Sequence, residues 1–323
     1  MTTFTKTVTL PVSPDDAFAL VTQPERLRRW QTVSAYVDLR AGGEYRWTVT
    51  PGHLAGGTFR EVESGKRVVF GWGWDGNADL PYDASTVTIT IDPVEGGSQV
   101  TLTHEGLNEQ QAAMHAEGWN HYFERLEKVA ATGDAGQDEW AWAPENLDPM
   151  TAAEATLAVL QPILRALTND DKVKQTPCTE FTCHELAEHL FGSMTTLGKF
   201  AGVEITVPEQ GPLENKVSVM ADQAITAWRA YEGEEVVGGG LPAYVAQMIF
   251  SIEFLLHAWD FAQATGQTVK VSDELVEFVA TSAKPIVDGG RERGSFGPEV
   301  AAPEDASLLD AFAAFAGRTP IAS

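Results

Sequence analysis

The chain is poor in cysteine. Only Cys178 and Cys183 occur among its 323 residues. They form neither a C-x-x-C pair nor a larger framework, which excludes a disulfide scaffold and a cysteine-built metal site and fits a reducing compartment. No bridge between them is expected, because five helical residues would point the two side chains apart. Positive charge is also scarce: 22 Lys+Arg stand against 46 Asp+Glu, a formal net charge of -24. That balance argues against nonspecific binding to nucleic acid or anionic lipid, both of which need a positive surface. Long apolar runs are missing, so no segment is expected to span a bilayer. Met1-Thr2-Thr3-Phe4-Thr5-Lys6 has no apolar signal-peptide core, so the cytoplasm is the expected location.

What is present suits a folded protein. Hydrophobic residues make up 43%, and 15 Phe with 9 Trp can build sizeable cores. At roughly 100–200 residues per domain, the length suggests two domains. The charge is uneven: residues 1–133 carry 11 Lys+Arg and 17 Asp+Glu, a net of -6, and the remainder carries -18. We expect one module over 1–133, a linker over 134–148 and a second module over 149–323. The acidity itself reads as solubility.

Strand signals dominate the first module. Thr5–Leu10 alternates and is β-branched, and Ser13-Pro14-Asp15-Asp16 opens a helix with a cap, a first-turn proline and two acids. A second short helix runs from Pro24 to about Trp30. Glycine pairs then punctuate a meander, with clear alternation in Ser85–Ile91 and Gln99–Thr103. After Asn108 the period becomes helical, and Met114, Gly118, Tyr122 and Leu126 recur on one face to about Ala131. The expected fold is α+β, an antiparallel sheet gripping one long C-terminal helix. In the linker, Trp140 and Trp142 suggest that its second half is pinned to a domain surface. From Pro149 onward the signals are helical, at roughly 150–168, 182–200, 217–231, 241–265 and 272–286, with a short closing helix over Ser307–Ala316. An all-α four-helix bundle with an added helix is expected.

The first module resembles the START/SRPBCC superfamily, in the branch named after the activator of the heat-shock ATPase. The resemblance rests on Arg29-Trp30, Asp38–Gly43, Val69–Trp74, Val100–Leu107 and Gly118-Trp119. It implies a helix-grip fold with an apolar cavity between sheet and long helix, and a small-ligand-binding role. A co-chaperone role rests on the family's name alone and is not expected. The second module resembles the DinB-like bundle of mycothiol-dependent maleylpyruvate isomerases and their metal-binding relatives. Its matches are Thr176–Thr182, Leu186–Leu190, Glu253–Asp260, Phe296-Gly297-Pro298 and Gly317-Arg318. This resemblance implies a metal site at His189, Glu253 and His257.

The residue types suit that chemistry. Glu253 and His257 stand four apart on one helical face, and imidazole with carboxylate suits a divalent ion, zinc first. His189 sits on another helix amid Leu186, Leu190 and Phe191; facing helices of a bundle can bring it to the same point. Two His and one Glu leave an open coordination position, as at catalytic sites. The duller readings are a local Glu–His pair and a hydrogen-bonded core histidine. Asp260 stands three residues after His257 and either orients its imidazole from outside the ligand set or braces the helix packing. His184 is five residues from His189, a turn of about 500°, so the two cannot share an ion on a regular helix; His184 is expected to be exposed.

In the first module, Trp30, Trp72, Trp74, Trp119 and Phe123 are candidates to line a ligand cavity, or else are core aromatics. His104 and Glu105 lie where a strand meets the long helix, with no triad or carboxylate pair around them. Gly71-Trp72-Gly73-Trp74 has no phosphate-loop spacing. The leading functional expectation is a metal-dependent enzyme, a thiol-dependent transferase or isomerase acting on a small organic molecule, although the sequence shows no thiol site. The alternatives are a non-catalytic protein that binds a small apolar ligand, with a structural or vestigial metal site, and a zinc hydrolase. The partners are then a small apolar or thiol-containing ligand, with no nucleic acid and no membrane. The substrate and the oligomeric state are not legible.

Overall fold

The computed structural model describes residues 2–320. It divides into two compact units, Met1–Gly136 and Gln137–Ser323. Among the described residues, no helix is long and apolar enough to cross a membrane.

The first unit is an antiparallel sheet with three helices. Its strands are β1 (Thr2–Leu10), β2 (Ser34–Val37), β3 (Glu44–Thr50), β4 (His53–Glu63), β5 (Arg67–Trp74), β6 (Ser85–Val94) and β7 (Gly97–Leu107). They lie in the order β1-β7-β6-β5-β4-β3-β2. Between β1 and β2 come α1 (Pro14–Thr22) and α2 (Pro24–Leu27), the latter shorter than the sequence suggested. The long helix α3 (Glu109–Thr132) follows β7. It starts where the period changes, because Asn108 and Gln111 form a reciprocal capping box, and it stops at Gly133 in the left-handed region.

Alternation sets what each strand buries. Val87, Ile89 and Ile91 of β6 face inward, as do Val100, Leu102 and His104 of β7. On β5, Trp72 and Trp74 alternate with Gly71 and Gly73. A Cβ at Gly71 would strike the Asp83 carboxylate and one at Gly73 the Pro81 carbonyl, so these glycines let the loop before β6 lie flat on the strand.

The second unit is mostly helical: α4 (Glu139–Trp142), α5 (Pro149–Ala166), α6 (Cys183–Phe200), α7 (Leu213–Arg229), α8 (Ala243–Thr265), α9 (Asp273–Glu292) and α10 (Leu308–Phe315). It is not purely helical, because β8 (Val236–Val237) pairs with β9 (Leu241–Pro242) around a glycine turn that sequence periodicity does not register. α7 starts earlier than expected, directly after Pro212, and α9 continues to Glu292 through Pro285 instead of ending near it. Helix starts are capped by Asp148, Thr182, Ser272 and Ser307. α8 is apolar around most of its circumference and is the central helix, packed by α5, α6 and α9. Glu253, His257 and Asp260 are its two acids and its histidine.

The segment between the expected modules is also resolved. The first unit keeps Ala135, which is buried, and Gly136, whose carbonyl accepts from Arg125 Nη2 at 2.8 Å. α4 packs against α5, yet Trp140 is largely exposed. Both cysteines are free. They are not on one helix: Cys178 lies in the turn before α6, and Cys183 is the first residue of that helix.

Candidate functional site

α6 and α8 bring His189, Glu253 and His257 together, each offering one ligand atom, all within 4.8 Å of one another. Glu253 Oε2 lies 3.0 Å from His189 Nε2 and 3.6 Å from His257 Nε2. It is buried and makes no hydrogen bond of good geometry. Two imidazole nitrogens and a carboxylate oxygen thus face one point. This donor set and spacing fit a divalent ion.

The surroundings fix the donors. Asp260, fully buried, accepts from His257 Nδ1 at 2.9 Å, which leaves Nε2 free to face Glu253. Arg318 Nη2 stands 3.6 Å from the same Asp260 oxygen. The Arg318 guanidinium also lies over the Phe296 ring. That closure depends on Gly317, which has φ +83° and whose Cβ would collide with Gly297. Phe181 stacks on His189 at 5.1 Å. His189 is 36% exposed through its side chain, and it borders a surface hollow of about 390 Å³ with Gly192, Thr196, Phe200 and Ile249. The cluster is therefore buried at His257 and reachable at His189.

Electrostatics follow from this packing. Burial works to raise the Glu253 carboxyl, but His189 and His257 beside it hold it well below the usual carboxylate range. Burial works to lower His257, but Asp260 and Glu253 raise it above its ordinary value. The thiols are not activated: burial pushes Cys178 and Cys183 each up to about 11. His184 is exposed on α6, away from the cluster.

A second feature lies in the first unit. A cavity of about 420 Å³ is lined by Trp72, Trp74, Trp119, His115, Gln31 and Gly118, among others. Two of the five expected lining residues are not in its wall. Trp30 and Phe123 are fully packed in the core, edge to face at 6.3 Å, and Trp30 Nε1 donates to the Leu20 carbonyl. His104 is fully buried on β7, and Glu105 beside it is exposed; no catalytic pairing joins them.

The family model of the Activator of Hsp90 ATPase homolog 1-like protein matches residues 11–131. The uncharacterized protein Rv0738 of Mycobacterium tuberculosis, strain H37Rv, is 30% identical over 186 residues, covering 54% of this chain and 99% of its own length. The same figures hold for the uncharacterized protein MT0763 of strain CDC 1551. The chain belongs to the Rv0738 family. The matched stretch is longer than the first unit, so the Rv0738 likeness reaches into the second. Residues 11–131 are an AHSA1-like domain. Among solved structures, the AHSA1-like protein RHE_CH02687 of Rhizobium etli is 36% identical, covering 46% of this chain and 91% of that one, with a TM-score of 0.37. DynU16, from the dynemicin biosynthetic locus, is 20% identical with a TM-score of 0.39; the match covers 43% of this chain and about half, 51%, of DynU16.

Several residues around these sites escaped sequence reasoning. His115 sits one turn before Trp119 on α3, so helical spacing from the Gly118-Trp119 match could have found it. Gln31 follows Trp30 in a segment without periodicity, and no pattern marks it. Phe181 and Arg318 were visible only as parts of motifs.

Proposed function

We propose that the Rv0738-family chain is a metal-dependent enzyme whose second unit is a DinB-like bundle holding a divalent ion, zinc first, on His189, Glu253 and His257. The reaction class is thiol-dependent transfer or isomerisation of a small organic molecule, with mycothiol as the thiol to test first. The observation that carries the reading is the buried Glu253 oxygen set between two imidazole nitrogens at 3.0 and 3.6 Å. A divalent ion held there supplies Lewis acidity and lowers the pKa of a bound thiol or water.

The chain's own residues have defined parts. Asp260 holds His257 in the tautomer that presents Nε2, and Arg318 offsets the Asp260 charge. The hollow beside His189 gives a small molecule a place next to that ligand. Because Cys178 and Cys183 are held protonated, the reacting thiol comes from a co-substrate.

Cobalt(II)-loaded full-length protein tests the reading directly. Addition of mycothiol should produce a thiolate-to-cobalt absorption band, and the band should be lost in His257→Ala. A cobalt-loaded protein that gives no such band but hydrolyses esters or amides would move the reading to a zinc hydrolase. Protein that takes up no metal would leave a non-catalytic ligand-binding role, which the cavity of the first unit favours.

A further inference from the structure

Cations are scarce beyond the first module, and they gather in one place. Residues 134–323 carry 11 Lys+Arg and 29 Asp+Glu. Three of those 11 cations, Arg165, Lys172 and Lys216, line a single cavity of about 630 Å³, whereas only two of the 29 acids, Asp171 and Glu188, do so. The excess of acid is thus inverted locally. Other arginines of the unit stand against acids: Arg229 on Glu154, Arg291 on Asp288 and Arg318 beside Asp260. The cavity lies between the end of α5, the 3-10 turn Asn169–Val173, the first turns of α6 and the start of α7. It shares no lining residue with the hollow beside His189.

The two acids do not cancel the three cations. Asp171 is occupied: its Oδ2 accepts from Thr168 N and Oγ1 at 2.8 and 2.7 Å, and a further cation, Lys174 Nζ, lies 2.8 Å from its Oδ1. Glu188 is exposed on α6, where water weakens its field. Arg165 is the opposite case. Its side chain is only 13% exposed and faces Glu214 at 3.6 Å. That contact is loose beside the bidentate Arg229–Glu154 pair at 2.9 and 2.7 Å. Ser218 Oγ donates to Glu214 at 3.1 Å and accepts from Gln161 Nε2 at 3.0 Å, so a buried polar chain holds the carboxylate that in turn holds the guanidinium at the cavity wall. Lys216 Nζ donates to the Glu209 carbonyl at 3.2 Å, a neutral partner. Leu164, Leu167 and Phe191 give the same wall an apolar side.

We propose that this cavity binds a small organic anion with an apolar body. Arg165, Lys172 and Lys216 take the anionic head, a carboxylate or a phosphate, and Leu164, Leu167 and Phe191 take the body. A planar guanidinium flanked by ammonium groups suits either head. The volume is in the range of small-molecule sites. This assignment does not rest on the metal reading, and its test involves no metal.

The test uses two probes of equal shape, naphthalene-2-carboxylate and naphthalene-2-carboxamide, which differ in charge. Each is titrated calorimetrically into the full chain stripped with a chelator. The carboxylate should bind about tenfold more tightly than the amide, the value of one hydrogen bond to a charged group, and its affinity should fall as salt is raised. In Lys172→Gln/Lys216→Gln, which leaves the Arg165–Glu214 pair in place, the carboxylate should weaken about tenfold while the amide is unchanged. Should that double variant lose helix content, Lys172→Gln alone decides, since Lys172 is exposed; a loss of about threefold is expected there. 2-Naphthyl phosphate separates the two heads: binding tighter than that of the carboxylate supports the site as one for phosphates, and weaker binding supports it as one for carboxylates. Equal affinity for carboxylate and amide in the wild type, carboxylate binding that salt does not weaken, carboxylate affinity unchanged by loss of the lysines, or no saturable heat from the carboxylate would each overturn the proposal.

Discussion

Trp119 donates its indole N–H to His104 Nδ1 across 3.1 Å, inside the packed core of the first unit. The bond needs a neutral imidazole, and the environment enforces it. Burial first, and then His115 beside it, lower His104 to about 3; burial also lowers His115, against the opposing hydrogen bond to the Gln111 carbonyl. The unfolded chain, with an ordinary histidine near 6.5, binds protons that the folded one refuses. Stability is therefore fully present above about pH 6.5 and falls as pH drops towards 3, with a slope approaching about 1.4 kcal/mol per pH unit for one such group. Urea unfolding at several pH values, followed by tryptophan fluorescence, measures it. In His104→Leu the slope should flatten even though the starting stability is lower; an unchanged slope would assign the acid sensitivity elsewhere.

The pair Glu154–Arg229 makes a separate prediction for the second unit. Glu154 is 2% exposed and receives Arg229 Nε and Nη2 at 2.9 and 2.7 Å. Arg229→Met leaves a buried carboxylate without its cation and should cost about 3–5 kcal/mol. Glu154→Leu combined with Arg229→Met should recover most of that loss, because both desolvated charges are then gone. A denaturant-based double-mutant cycle reads the coupling, and purely additive losses would contradict it.

The boundary between the units can be cut. The first unit ends with Ala135 buried and Gly136 tied to Arg125, so fragments 1–136 and 137–323 should each fold. A fragment ending at 133 should be less stable than one ending at 136. Circular dichroism melts of the fragments check this; two unfolded pieces would show that the units depend on each other.

Much of this architecture was legible because periodicity reports burial. The capping box at Asn108, the alternation of β6 and β7, and the starts of α6 and α9 are local chemistry written in the sequence. Glu253 and His257 could be paired by spacing, since a helix fixes which residues share a face. The partner on α6 could not be fixed by spacing, because that depends on how two helices pack; the family resemblance supplied it. The cavity shows the limit more sharply. Trp30, Trp72, Trp74, Trp119 and Phe123 are equivalent to a hydropathy pattern, and only packing keeps Trp30 and Phe123 out of the cavity wall.

Asp260 connects the candidate metal ligands to the rest of the second unit. Asp260→Asn keeps its size but weakens the hold on His257 and removes the counter-charge of Arg318. Zinc affinity should fall by about 10- to 100-fold, the usual effect of losing such a support, and the unfolding midpoint should drop as well. Asp260→Asn with wild-type zinc affinity would make the residue a packing element only.

Metal binding at His189, Glu253 and His257 is the property on which the proposed function depends. The measurement is a calorimetric zinc titration of full-length protein stripped with a chelator, alongside Glu253→Gln and a His189→Ala/His257→Ala double variant. The expected result is one ion per wild-type chain, an affinity that falls as pH drops below about 6.5 because the imidazoles must be deprotonated, weaker binding in Glu253→Gln with the fold intact, and none in the double variant. A wild type that binds no zinc, or a double variant that binds it as tightly as the wild type, would contradict the account.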